Sequence, residues 1–177
     1  MKINLRKSAK GFSLIELLVA VLVMGIGVLG ITGLQMVSLQ NNRGALVRSE
    51  AVQLAYDMMD RIRANPAGTP AGNSYNGLAV GATPPAFTDC IANNCTQAQM
   101  VTFDQAMWKC ALGTHNDHAN CLLLRDGSKM PLATEQPGLP EGDGSIVVDN
   151  GTGVISVTVQ WQEPNSPLRT ITLDSQG

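Results

Sequence analysis

The sequence predicts an α+β chain: one long N-terminal helix, anchor plus stem, packed on a small antiparallel sheet with a long irregular loop. Three observations predict it. Leu17 to Leu34 is an 18-residue stretch broken only by glycines and Thr32. An amphipathic helical pattern takes over from Ala45. Near the C-terminus Ile155, Val157, Val159 and Trp161 alternate with Ser156, Thr158, Gln160 and Gln162, the period of a half-buried strand. Charge divides the chain in the same way. Residues 1–11 hold Lys2, Arg6, Lys7 and Lys10 and no acid, leaving eight positive against fourteen negative charges in the rest. That acidic remainder disfavours nucleic acid as a partner.

Each element follows from its residues. From Phe12 to Asn42 the only charge is Glu16. Eighteen apolar residues at helical rise cover about 27 Å, close to a bilayer core. Basic residues precede the run and Arg43 follows it, so the positive-inside rule keeps the N-terminus cytoplasmic and exports the rest. The run exceeds the apolar core of an ordinary secretory signal and predicts a retained anchor. Glu16 is anomalous there, since a charge at a membrane helix centre costs about 2.5–3.5 kcal/mol and less near the edge. Either it snorkels to the cytoplasmic face or it awaits a cationic partner. A cut just before Phe12 would create such a cation as a new α-amino group, and Gly11 is the small residue that a cut there needs.

Gly25-Ile26-Gly27-Val28-Leu29-Gly30 matches the dinucleotide fingerprint letter for letter, but lies inside an uncharged helix rather than after a strand, which excludes that reading. Gly25, Gly27, Gly30 and Gly33 instead weaken the helix and let it bend. Beyond Ala45, the positions Val47, Ala51, Leu54, Ala55, Met58 and Ile62 share a face suited to a sheet. Asp57 and Arg61 form an i, i+4 pair. Asn65-Pro66-Ala67-Gly68 ends the helix. Residues 66–95 read as a long irregular loop. Thr96-Gln97-Ala98-Gln99 is a capping box opening a helix to about Leu112, with Met100, Phe103, Met107 and Trp108 as apolar positions. Strands are expected at Ile146 to Val148, around 155–161, and at Leu168 to Leu173.

Gly11-Phe12-Ser13-Leu14-Ile15-Glu16 resembles the cleavage and methylation motif of type IV pilins and pseudopilins. The resemblance implies cleavage after Gly11 by prepilin peptidase and N-methylation of Phe12. It also implies pairing of Glu16 with the Phe12 amine of a neighbouring subunit, and the pilin fold. A desolvated charge pair is tolerable only when both partners are present, which agrees. Major pilins usually carry a proline within the anchor; this chain has none there. Within the superfamily the chain is most similar to PilV-type minor pilins. The similarity rests on the glycine-rich anchor, Asp60-Arg61-Ile62-Arg63-Ala64-Asn65-Pro66, Cys95-Thr96-Gln97-Ala98-Gln99 with Asp104 and Trp108, Leu139-Pro140-Glu141-Gly142, and Val157-Thr158-Val159-Gln160-Trp161. Residues 111–138 carry no such pattern.

Four divisions result: a leader over 1–11, a membrane or filament-core half over 12–42, an amphipathic stem over 43–64, and an exported head over 65–177. In an exported head, Cys90, Cys95, Cys110 and Cys121 make two disulfides. A helix over 96–112 places Cys95 and Cys110 about 22 Å apart, which excludes that pair. Short loops favour Cys90–Cys95 with Cys110–Cys121; Cys90–Cys110 with Cys95–Cys121 remains. Zinc on Cys110, His115, His118 and Cys121, and calcium over 115–120, are weaker alternatives, with a polar surface loop as the default. No catalytic motif accompanies the histidines, so neither an enzyme nor a cofactor is expected. The expected role is a minor pilin taking part in pilus initiation and assembly. It would be held in the bacterial inner membrane with its head in the periplasm, then carried to the cell surface. Its partners would be other minor and major pilins, the prepilin peptidase and the assembly platform. A type II secretion pseudopilin is the alternative, as is a subunit contacting surfaces or DNA.

Overall fold

The structure, a computed structural model, describes residues 11–65, 74–125, 138–149, 151–164 and 166–176. The leader residues 1–10, part of the expected 66–95 loop and most of the helix-ending Asn65-Pro66-Ala67-Gly68 lie outside them. Helix α1 runs without a break from Leu14 to Ala64. Helix α2 covers Gln97–Leu112 and α3 Ala119–Arg125; strands β1, β2 and β3 are Asp143–Val148, Val154–Trp161 and Arg169–Gln176. The chain divides into two compact units after Ala45.

In the second unit the head builds on an antiparallel sheet in the order β1-β2-β3. Ile146 faces Val157 across the first pair and Val157 faces Leu173 across the second. This register puts Ile155, Val157, Val159 and Trp161 on one buried face. The same core takes Ala51, Ala55, Met58, Met59 and Ile62 from α1, and Val101, Trp108 and Leu112 from α2. The apolar stripe of the stem therefore packs on a sheet as expected. Full burial of each larger side chain contributes about 1.5–3 kcal/mol. Trp108 also donates its indole N–H to Leu54 O at 2.9 Å, tying α2 to α1. On the opposite sheet face Ser156 Oγ donates to Asp174 Oδ1 at 2.6 Å, and the hydroxyls of Thr158 and Thr172 meet at 3.0 Å.

Helix α2 starts where the capping box places it. The Thr96 hydroxyl accepts from Gln99 N, and Gln99 Oε1 accepts from Thr96 N at 2.9 Å. Gly113, at φ 120°, ends it. A second apolar cluster joins Phe103, Ala106 and Cys110 of α2 to Cys121 and Leu124 of α3, with Phe87 against Phe103. Three boundaries differ from expectation, one of them β3, which runs on to Gln176 rather than stopping at Leu173 because Ile155 and Val154 continue its pairing. Helix α3 begins at Ala119, inside the stretch read as a polar loop, because Cys121 and Leu124 at i, i+3 bury one face. Strand β1 begins at Asp143, three residues early: Gly144 lets Trp108 lie against the strand where a side chain would collide.

Candidate functional site

The N-terminal motif occupies the start of α1. Gly11, Phe12 and Ser13 are non-helical and exposed, and the helix opens at Leu14, with Leu17 N donating to Ser13 O at 3.2 Å. Glu16 therefore stands in the first turn, where the helix dipole favours an anion. A Cβ added at Gly11 would meet nothing within 4 Å, so no packing among the described residues calls for glycine there. From Leu14 to Leu39 every large apolar side chain is more than half exposed. Helix α1 is long and apolar enough to cross a membrane. Left in water, that surface would forgo about 25 cal/mol for each square ångström, so it calls for lipid or other apolar helices around it. The Thr32 hydroxyl is satisfied inside the helix by Val28 O and Leu29 O.

The head holds two polar constellations. At the end of α1, Arg61 binds Asp57 at 2.9 Å and Asp104 at 3.1 Å. Tyr75 donates to the other Asp104 oxygen at 2.6 Å, and Asn65 Nδ2 donates to Tyr75 Oη and Gln97 O, both at 3.0 Å. Burial, and then Asp104 as acceptor, push the Tyr75 hydroxyl well above its usual pKa. An open depression of about 350 Å³ borders this network, lined in part by Arg61, Asn65, Thr96, Gln97, Met100 and Asp104. Its cation is already held by two carboxylates, so the network joins three chain segments rather than offering a free charge. Deeper in the head, Lys109 is fully buried and donates to Asp143 Oδ1 at 2.5 Å and to Ala79 O and Gly144 O at 2.8 Å. All three of its N–H groups are satisfied.

Cys90 is bonded to Cys95 and Cys110 to Cys121. Both thiols of the zinc alternative are thus consumed by one disulfide. His115 and His118 lie with ring centroids 6.5 Å apart, edge to face. Of the predicted site residues, Gly11, Phe12 and Glu16 belong to the N-terminal unit and the cysteines to the head.

Two family models match adjoining stretches that together span residues 6–106. Residues 6–32 match the prokaryotic N-terminal methylation motif and residues 33–106 match type IV pilin Tt1218. The chain belongs to the type IV pilin superfamily. Neither a curated protein nor a solved structure matches it. A pilin is typically a structural rather than a catalytic subunit, anchored by its N-terminal apolar helix and in contact with other pilins. In this pilin the Asp60–Asn65 and Cys95–Asp104 segments meet through Arg61, Asn65, Gln97 and Asp104. The sequence reading missed Tyr75 and the Lys109–Asp143 pair. A lysine at 109 amid the apolar positions of α2 was the available signal.

Proposed function

We propose that this pilin is a minor, non-catalytic subunit that enters or primes a type IV pilus, with its head in the periplasm before assembly. Prepilin peptidase cuts after Gly11, Phe12 is N-methylated, and the 12–42 half of the helix exchanges lipid for the helical core of a filament. The observation that carries this reading is the exposed apolar half of α1 with Glu16 as its only carboxylate. A carboxylate surrounded by apolar surface is stable only beside a cation, and the Phe12 amine of the next subunit is the one the motif supplies. The unmet need for glycine at Gly11 supports the same reading, because the requirement then comes from the peptidase pocket.

The test is an in-frame deletion in a background that cannot retract its pili, with surface pilin sheared off and measured. Loss of most surface pilin, restored by the wild-type gene but not by Glu16→Val, is expected. Normal pili together with lost secretion of extracellular enzymes would assign the chain to a type II pseudopilus. Replacing Gly11 by a bulky residue should leave the leader attached, seen as a heavier, unmethylated protein.

A further inference from the structure

The two edges of the sheet are finished differently. Along β1, Gly77 N donates to Ile146 O at 3.2 Å, Ile146 N to Leu78 O at 2.8 Å, and Val148 N to Asn76 Oδ1 at 2.9 Å. Residues 76–78 thereby take the groups that another strand would need. Along β3, among the described residues, backbone hydrogen bonds run only to β2. The strand has eight residues, all exposed or half-buried, with no proline. Its two charges, Arg169 and Asp174, and the Arg63 side chain on Ser175 Oγ leave the outer backbone groups of residues 169–174 unpaired among the described residues. Natural sheets blunt their edges with charges, prolines, bulges or covering segments. This sheet covers one edge and leaves the other bare.

We propose that the outer edge of β3 accepts an extended segment of a different pilus subunit as a fourth strand, an inference that rests on the pilin reading above. The residues define the occupant. Arg169 makes no ion pair among the described residues, so a carboxylate belongs opposite it. Ile171 and Leu173 are half-buried beside the core, so aliphatic side chains at alternate positions complete their cover. On the other face, serine or threonine would extend the hydroxyl row of Thr158 and Thr172. A second copy of this chain cannot supply its β1, because that edge is already occupied. Strand-by-strand polymerisation with itself is therefore blocked, while strand addition by a different chain stays open.

Prolines placed one at a time in the full-length protein, from Thr170→Pro to Asp174→Pro, test this in its own cells. In an antiparallel ladder successive N–H groups point alternately to the partner and away. One class of proline breaks the β2 ladder and unfolds the head; the other removes only outward N–H groups and keeps it. For the fold-retaining class, recovery with sheared filaments should fall about tenfold while the thermal midpoint holds, and alanines at the same positions should be recovered normally. Fold-retaining prolines recovered at the wild-type level overturn the proposal and leave the pilin reading intact. So does a Thr172→Cys variant recovered mainly as a disulfide between two copies. Absence of the wild-type chain from filaments, with Glu16→Val equally without effect, overturns the pilus reading and the edge proposal with it.

Discussion

In the stretch from Gly11 to Ala45, a Cβ added at Gly25, Gly27, Gly30 or Gly33 meets nothing within 4 Å. In the head, one added at Gly144 would lie 2.5 Å from Trp108 and 2.6 Å from Thr158 O. The same contrast holds for charge. Glu16 makes no ion pair among the described residues, whereas Lys109 meets a carboxylate and two carbonyls. One region leaves its requirements to be met from outside the chain; the other meets them internally. Substitutions in the first should therefore change assembly without touching head stability, and those at buried positions of the second should lower stability first.

The sharpest break should come from Asp143→Ala, which leaves Lys109 buried without its counter-ion. About 3–5 kcal/mol of head stability should be lost in denaturant titration of the full chain in detergent. Lys109→Met combined with Asp143→Leu should recover much of that. Burial by itself would raise the Asp143 pKa, but hydrogen bonds from Lys109, Gly81 and Gly144 hold it below the ordinary 3.8. The stability from this carboxylate is thus present above about pH 4 and lost as pH falls through the depressed value. An acid titration in which Asp143→Asn is as acid-sensitive as wild type would remove the pair from this account.

Opening Cys110–Cys121 should come next, at about 2–3 kcal/mol for a loop of separation 11, with Cys90–Cys95 at separation 5 costing less. Separate Cys-to-Ser pairs compared by thermal melting would rank them. Gly144→Ala should destabilise the head by about 1–3 kcal/mol through overpacking. Gly27→Ala should leave head unfolding unchanged and stiffen the anchor by roughly 0.5–1 kcal/mol, visible as slower amide exchange there. The smallest effect belongs to Glu141, at φ +48° in the Leu139-Pro140-Glu141-Gly142 turn. Glu141→Gly should relieve about 1 kcal/mol of left-handed strain, offset in part by a freer unfolded chain. A drop in melting temperature would show the glutamate to be held by contacts that glycine loses.

Legibility in the sequence followed the range of the interaction. The stem stripe from Ala51 to Ile62, the Thr96 capping box and the alternation over 155–161 act within a few residues, and the structure places them as read. The disulfide alternatives narrowed because helical rise separates Cys95 from Cys110, and the structure holds the short-loop pair. Helix α3 was missed because seven residues give barely two turns of pattern, and only Cys121 and Leu124 mark its inner face. Lys109 and Asp143 are 34 positions apart, as Tyr75 and Asp104 are 29, and no local period links such partners. The candidate site divides likewise. Gly11, Phe12 and Glu16 are legible because they form a linear motif within six residues, inside the stretch that matches the N-terminal methylation motif. The covered edge of β1 is a tertiary fact, set by Asn76 and Gly77 meeting Val148 and Ile146.

The burial of Lys109 has a consequence for covalent labelling. Beyond residues 1–11 the sequence has only two lysines, Lys109 and Lys129. An acylating reagent needs a free amine lone pair, and Lys109 has no exposed surface and three acceptors around its nitrogen. In the intact head Lys109 is chemically silent, and any dye found on it marks a molecule whose α2 has parted from β1. A single peptide in a digest thus becomes a gauge of how often the head opens under load, heat or acid.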